Sequence, residues 1–353
     1  MSNLYFQPIK HKLLSFFGKA ISSIKDASVE SWIVEPSLRQ TLRPGLYQPG
    51  DLDLVTGSWE GTTVKHEVEF LKGGVKEHAP TIAYRLRDVS VIGGALYSGR
   101  WMERLLTRKL SQSEPAPLHH AKSGVVACTW SGNHFFGHWI TDDLTLYLAA
   151  QEIGDPFMLS RKPFLHEPGY RELLNIQCES VARAHFDEVI VLQDFGQNSH
   201  KKKRYEVLRS RLRERVRGVG AKRVLLRRGN LGQSRAIVNA PEFESYLSSQ
   251  GFSIVEPETL TPLEVAAQTM GAEVVIGVEG SQIPHALLTM ADGGILCCLQ
   301  PPSRFNNTIK GYTDCLDMQY AILVGRPAPG GFSIDMDGLK LMIERFDTQL
   351  ARR

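Results

Sequence analysis

At 353 residues the chain is long enough for two ordinary domains, and its apolar (42%) and charged (22%) fractions are those of a globular protein able to bury full cores. A net charge of +3 is too mild to argue for a nucleic-acid partner, and no apolar run approaches the roughly 20 residues of a membrane-crossing helix. Five cysteines without a repeated short spacing do not make a disulfide framework, and no CxxC spacing points to zinc.

Residues 1–7 (MSNLYFQ) resemble a protease-site remnant and carry no fold meaning, and the pattern of a secretory signal peptide is missing. Residues 9–25 place Leu13, Leu14, Phe17, Ile21 and Ile24 on one helical face, flanked by Lys10, Lys12, Lys19 and Lys25. Such a helix either makes a peripheral contact with an anionic membrane or docks its stripe on the protein's own core. From 26 to about 115 the pattern is strand-like and turn-rich, with Pro44-Gly45, Pro49-Gly50 and Gly73-Gly74. Alternation is clearest at 64–71 (VKHEVEFL) and 89–97 (VSVIGGALY), which predicts an N-terminal β-rich accessory region over 1–115. Residues 110–118 (LSQSEPAPL) read as a polar linker.

A smaller α/β unit is expected over 116–205. It has strands at 125–129, 156–159 and 188–193, a helix running through His138, Trp139, Asp142 and Leu146, and another from about 169 to 184. Residues 200–217 carry nine Lys and Arg, a pattern that fits a solvated helix face or one turned toward an anionic donor or acceptor. With a single tyrosine it offers no stacking platform for nucleic acid.

Residues 222–302 contain four short apolar runs, 223–228 (RVLLRR), 252–255 (FSIV), 272–278 (AEVVIGV) and 295–300 (ILCCLQ), with helical segments between them. Pro241 suits a first helical turn and Gly251 a C-terminal cap; Thr261, Pro262 and Glu264 spell a capping box. Strand and helix alternating in this way predict a parallel sheet, whose ligands sit beyond the carboxyl ends of the strands. Those ends carry Arg227, Arg228, Glu256 and the run Glu279-Gly280-Ser281-Gln282. Cys297 and Cys298 fall in a predicted buried strand, which favours a reduced, cytoplasmic compartment. A strand at 319–324 and an amphipathic helix at 336–346 follow.

The runs RRGN…SRAIVNAPEF, GFSIVEPETLTPLEVA and AEVVIGVEGSQIPHAL, preceded by NHFFGHWITDDLTL, resemble glycosyltransferase family 61 in order and content, from about residue 85 to 325. The last resembles the family's Asn-aromatic-aromatic-His-Trp-x-x-Asp element. The resemblance implies an α/β, GT-B-like architecture, with two Rossmann-like domains (116–205 and 206–325) facing across a cleft and a C-terminal segment (326–353) crossing back to the first. It implies an inverting transferase that needs no metal or other cofactor. The implied donor is a nucleotide sugar, for instance a UDP-linked one, and the implied acceptor is a glycan or glycolipid of a bacterial capsule, lipopolysaccharide or other surface polysaccharide. The setting would be the cytoplasm or the inner face of the membrane. One position departs: the family reads Gly-x-His-Gly-[Ala/Ser] where this chain has Glu279.

A nucleoside diphosphate leaving group must be neutralised, and an acceptor hydroxyl must lose its proton. Arg227, Arg228 and Arg235, in a glycine-bearing loop, suit the first task because a planar guanidinium holds two phosphate oxygens, or else they face water. Gly280-Ser281 would open the next helix and offer backbone N–H groups to an anion, or form an ordinary tight turn. Glu279 would accept hydrogen bonds from ribose or donor-sugar hydroxyls or be an exposed turn acid, Gln282 falls on the donor side, and the backbone around Glu256 would read the base edge, with Glu258 a surface acid beside a helix start. His138 and Asp142, four apart on one helix face, could form a His–carboxylate pair, or His138 and Trp139 are a core pair satisfied by local hydrogen bonds; Asp142 is the first candidate base, His138 the second, and Asn133 and His134 line the acceptor side. His285 reads as structural or as approaching the phosphate. A Rossmann oxidoreductase is disfavoured because no GxGxxG follows a predicted strand. The alternative is a catalytically degenerate GT-B scaffold that binds a glycan or protein partner, a reading that Glu279 leaves open.

Overall fold

The computed structural model describes residues 6–107, 119–229, 233 and 235–352; the predicted linker at 110–118 lies outside the described residues, as does much of the loop before Arg235. The chain divides into two compact units. The first comprises Met1–Leu38, His78–Arg171 and Asn175–Gly196, and the second Arg39–Glu77, Glu172–Leu174 and Gln197–Arg353.

The first unit is built on an eight-stranded sheet. Its strands are β1 (Glu30–Glu35), β2 (Thr81–Ile92), β3 (Ala95–Ser98), β4 (Trp101–Arg104), β5 (His119–Val126), β6 (Pro156–Leu159), β7 (Glu179–Val181) and β8 (Ala184–Gln193). They run in the order β4-β3-β2-β8-β5-β6-β7, with β1 on the first half of β2. Strands β8, β5, β6 and β7 are mutually parallel, whereas β8 pairs antiparallel with β2 along nearly its whole length. Strands β1 to β4, from the predicted accessory region, thus hydrogen-bond directly into the α/β sheet, while Leu38–Leu42 and Gly74–His78 form a two-stranded sheet of their own. Gly93 and Gly94, both at positive φ (60° and 77°), make the two-residue turn that brings Ile92 opposite Ala95. The chain proceeds β5, β6, β7 outward and then returns to the other side of β5 as β8. Strand order therefore reverses between β5 and β8, and the crevice beyond their carboxyl ends is where such sheets bind ligands.

The second unit has a five-stranded, wholly parallel sheet of β9 (Arg223–Leu226), β10 (Ser253–Val255), β11 (Val274–Val278), β12 (Ile295–Gln300) and β13 (Gln319–Val324), in the order β10-β9-β11-β12-β13. Every residue of β11, β12 and β13 is buried, as expected for strands covered on both faces. The capping box at Thr261 and Glu264 forms as the spacing predicts. Here the reversal lies between β9 and β11. The C-terminal helix Met336–Leu350 buries Leu339, Met342, Ile343 and Phe346 in the same core cluster as Leu225, Ile276, Cys297 and Leu323. It therefore packs on this unit's own sheet. All five cysteines are free thiols.

Three predicted elements differ from the structure. Residues 64–71, read as a strand from their alternation, form the helix Val64–Lys72, because the Thr63 side chain accepts the His66 N–H at its start and Gly73, at φ 70°, stops it. The same letters place Val64, Glu67, Val68 and Leu71 on one helical face, so period alone does not choose. The helix expected over 169–184 runs only Glu167–Leu173; Asn175, at φ 52°, ends it and the chain re-enters the sheet as β7 and β8. The helix expected over 9–25 stops at Phe16, and Gly18, at φ 65°, turns the chain so that Ile21 bridges Trp101 and Ile24 is buried.

The basic helix forms over Ser199–Arg215, capped by the Asn198 side chain, but it is not simply a solvated face: Lys201, Arg204 and Arg209 are buried. Arg209 donates to the carbonyls of Leu287 and Met290 and to Asp292 (2.7 Å), closing the end of the short helix after β11. Removing it strands buried carbonyls, so Arg209→Ala should cost about 3 kcal/mol. Arg213, which reaches the same Asp292 from the surface, should cost less than about 1 kcal/mol when replaced by Ala. Urea unfolding at neutral pH measures both, and equal losses would reject the capping role.

Candidate active site

At the strand reversal of the second unit, β9 is followed by Arg227 and Arg228 and β11 by Glu279. Successive residues leaving a strand point to opposite sides, so the two arginines diverge. Arg227 pairs with both Glu244 (Nε to Oε1, 2.9 Å) and Glu256 (NH1 to Oε2, 3.2 Å). These two carboxylates offset its charge, and Glu256 is engaged with it.

Arg228 turns the other way, donating to Gln282 Oε1 (3.0 Å) and to the Gln233 carbonyl (2.8 Å). Arg235 joins it, donating to the Glu279 carbonyl (2.6 Å) and lying 3.1 Å from the Glu279 carboxylate. Arg304 Nε lies 3.5 Å from that same oxygen, and Asn306 donates to the other (3.2 Å). Three guanidiniums thus surround one buried carboxylate, with Glu258 contributing a further negative charge near Arg228. The Nε groups of Arg235 and Arg304 are buried without a hydrogen-bond acceptor. Burial, opposed by Glu279 and reinforced by the charges of Arg228 and Arg304, lowers Arg235 to about 10. It remains a cation at neutral pH, and a further anion would relieve the cost of holding it.

Gly280 makes this convergence possible. A Cβ there would overlap the guanidiniums of Arg228 and Arg235, and its φ of 149° disfavours other residues. The expectation that Gly280-Ser281 opens a helix is corrected. Residues 281–283 form a turn, and the helix Pro284–Leu287 that follows has four residues, too short to supply a helix-terminal anion site. Glycine is needed for the approach of side chains instead. His285 is buried on that short helix. Arg304 and Asn306 were missed by sequence reading, although they follow the carboxyl end of β12, the strand next to β11; the same strand-end logic carried one strand further finds them.

In the first unit, the segment after β5 holds the other candidates. Thr129 caps the helix Trp130–His134 through its hydroxyl (Gly132 N–H, 2.8 Å). Phe135 interrupts with extended dihedrals, and after Phe136–His138 comes a π-helical turn, Trp139–Asp143. Single π turns recur at functional sites because the extra residue re-aims side chains. Here Asp142 stays beside His138 (Oδ2 to Nδ1, 2.8 Å), both partly exposed, while Asp143 is turned fully inward. Asp143 Oδ1 accepts from the Thr129 N–H (3.0 Å) and hydroxyl (2.8 Å), and its Oδ2 has no hydrogen-bond partner. Gly132 is required opposite, since a Cβ there would overlap this carboxyl.

Asp143 also lines a cavity of about 420 Å³ together with Asn133, Arg161, Glu167, Arg171 and Gln177. Arg161 bonds Asn133 (3.3 Å) and Glu167 (2.8 Å), and Arg171 bonds Glu167 (2.8 Å). Asn133 is thus buried at this cavity, also donating to the Leu105 carbonyl (3.0 Å). His134 does not join it. Its Nε2 accepts from the Thr107 N–H (3.2 Å), its Nδ1 meets the Trp130 carbonyl (2.7 Å), and it stacks on the Trp130 ring, all structural contacts. Burial pushes the thiols of Cys128 and Cys178 up to about 12, which removes both as nucleophiles at neutral pH. Among the described residues no group of three or more His, Cys, Asp or Glu side chains is arranged to hold a metal ion.

Burial raises the Asp143 carboxyl well above the ordinary carboxylate range; the Thr129 hydrogen bonds oppose this and the charge of Asp142 adds to it. A folded-state value raised above the unfolded one, near 4, contributes stability below that pH and loses it as pH rises through the folded value. Asp143→Asn, which keeps the Thr129 acceptor, should therefore gain stability relative to the parent as pH rises from about 4 to 7. Urea unfolding of both proteins at the two pH values measures the gap, and a gap independent of pH would show that Asp143 is ionised when folded.

No curated protein matches the chain. Residues 136–297, which hold His138, Asp142, Asp143, Arg228, Arg235 and Glu279 but not Asn133, His134, Arg304 or Asn306, match the family model Glycosyltransferase 61. By that match this segment is similar to a family of glycosyltransferases.

Proposed function

We propose that the chain is an inverting glycosyltransferase that moves a sugar from a nucleotide-sugar donor, for instance a UDP-linked one, to a hydroxyl of a glycan or glycolipid. The observation that carries the reading is the surplus of guanidinium charge around Glu279, at the strand reversal of a parallel sheet. A diphosphate is the anion such a cluster suits, since each planar fork can hold two phosphate oxygens. In this reading Arg228, Arg235 and Arg304, rather than a divalent cation, meet the charge of the leaving group. Glu279 keeps the three forks converged, and Gln282 holds Arg228 in place.

The acceptor oxygen attacks the anomeric carbon from the face opposite the diphosphate. The new C–O bond forms as the bond to the phosphate oxygen breaks, its electron pair leaving with the diphosphate. The hydroxyl proton passes to the Asp142–His138 pair. Asp142 is the candidate base, and its 2.8 Å contact with His138 lets the imidazole share the proton. The exposed rings of Trp130 and Phe135 support a glycan acceptor, because flat apolar faces beside polar groups suit a sugar ring; the Phe135 ring lies 6.0 Å from that of His138. The surface-polysaccharide setting rests on the family resemblance.

Single replacements Arg228→Ala, Arg235→Ala and Arg304→Ala should each weaken UDP binding by about tenfold or more while changing uridine binding little. Calorimetry with the two ligands tests this, and equal losses for both would remove the phosphate role. Asp142→Asn should lower kcat by about 100-fold or more with donor affinity nearly intact. Turnover equal to the parent's would dismiss it as base. A chain that hydrolyses no member of a nucleotide-sugar panel, even slowly, would be the scaffold instead.

A further inference from the structure

We infer that the N-terminal helix Gln7–Phe16 is a membrane-surface anchor whose occupant is an anionic lipid bilayer. None of its residues is buried. Ile9 is 55% exposed, Leu13 50%, Phe16 82% and the following Phe17 65%, a density of bare large apolar side chains that a water-facing helix does not ordinarily show.

Their placement is ordered. At about 100° per residue, Phe16, Ile9, Leu13 and Phe17 fall in sequence on one arc of about 100°, and Lys12 and Lys10 fall on its two borders. Gln7, His11 and Leu14 fall on the far side, where the exposure is only partial and the His11 ring lies 6.1 Å from that of Tyr97. The helix thus rests on the first unit by one edge and turns its apolar arc outward. The reading in which the stripe docks on the protein's own core does not hold for this arc. Of the predicted stripe, Leu14 faces the unit and Ile21 and Ile24, beyond the turn at Gly18, go inward.

Charge selects the occupant. Residues 6–25 contain Lys10, Lys12, Lys19 and Lys25 and no acidic residue, and all four lysines are exposed. Lysines bordering an apolar arc reach anionic headgroups while the arc enters the acyl boundary, which is how an interfacial helix binds. A protein groove would satisfy the apolar arc but give no reason for cations on both borders. The turn at Gly18, with Lys19 N–H bonded to the Leu14 carbonyl and Ile21 N–H to the Arg100 carbonyl, fixes the helix to the unit so that the whole chain would be held at the surface. This inference does not depend on the proposed chemistry.

Flotation of the full-length protein with phosphatidylcholine vesicles, with and without phosphatidylglycerol, tests it. Binding is expected to the anionic vesicles and to fall with added salt. Leu13→Glu together with Phe16→Glu should weaken binding at least about tenfold, and Lys10→Glu with Lys12→Glu should also weaken it. Because all four side chains are exposed, circular dichroism and unfolding should be unchanged. A Phe16→Trp variant should shift its emission to the blue on anionic vesicles, which separates insertion from loose electrostatic attachment. No flotation, flotation unaffected by Leu13→Glu and Phe16→Glu, or a self-association in sedimentation velocity that those changes abolish, would overturn the lipid assignment; the last would make a second copy the occupant.

Discussion

A single buried carboxylate, Glu279, organises the charged end of the second unit. Guanidiniums repel, and three of them converge only if something negative sits among them and nothing bulky stands between. Glu279 meets the first condition at 3.1 Å from Arg235 and 3.5 Å from Arg304, and Gly280 meets the second by having no side chain. The carboxylate offsets only part of the charge it gathers. Holding buried cations in such partial balance costs free energy, and here they lie beyond the carboxyl ends of the strands at the strand-order reversal of a parallel sheet. Glu279, at the position that departs from the resembled pattern, therefore has a clear physical job: it holds the cluster together.

The first unit solves a different problem, placing two adjacent aspartates in opposite environments. In a regular α-helix, neighbours one apart diverge by about 100° and both stay on adjoining faces. The π turn at Trp139–Asp143 leaves Asp142 against His138 at the surface and points Asp143 into the interior, against Thr129. One carboxyl stays partly exposed while the other is held by burial toward its neutral form. Environment, not residue type, sets the two side chains apart.

The basic helix Ser199–Arg215 shows the same separation between composition and use. Its charge density reads as a solvated or ligand-facing surface, yet Arg209 donates three hydrogen bonds to the carbonyl end of a neighbouring short helix and to Asp292. Buried, it acts as a cap. A run of like charge reports only that the segment is helical and soluble on some face; which members turn inward depends on which backbone carbonyls lack partners nearby.

The periodic, local signals carried well. The parallel strands of 222–302 appear at nearly their predicted places, because a strand buried on both faces must be apolar throughout and its caps are spelled within a few residues, as at Thr261 and Glu264. The strand-end rule also located Arg228, Arg235, Glu279 and Gln282, and the spacing of His138 and Asp142 foretold their contact. Tertiary structure decided what distance along the chain hides. It set Arg227 against Glu244 and Glu256 while Arg228 turned away, and brought Arg304 and Asn306 in from the next strand. It also made 64–71 a helix and left the N-terminal apolar arc uncovered. Hydrogen bonds and charges act over a few ångströms of space, whatever the sequence separation. A sequence therefore determines which groups are available at each strand end, and only the packed chain determines which of them meet.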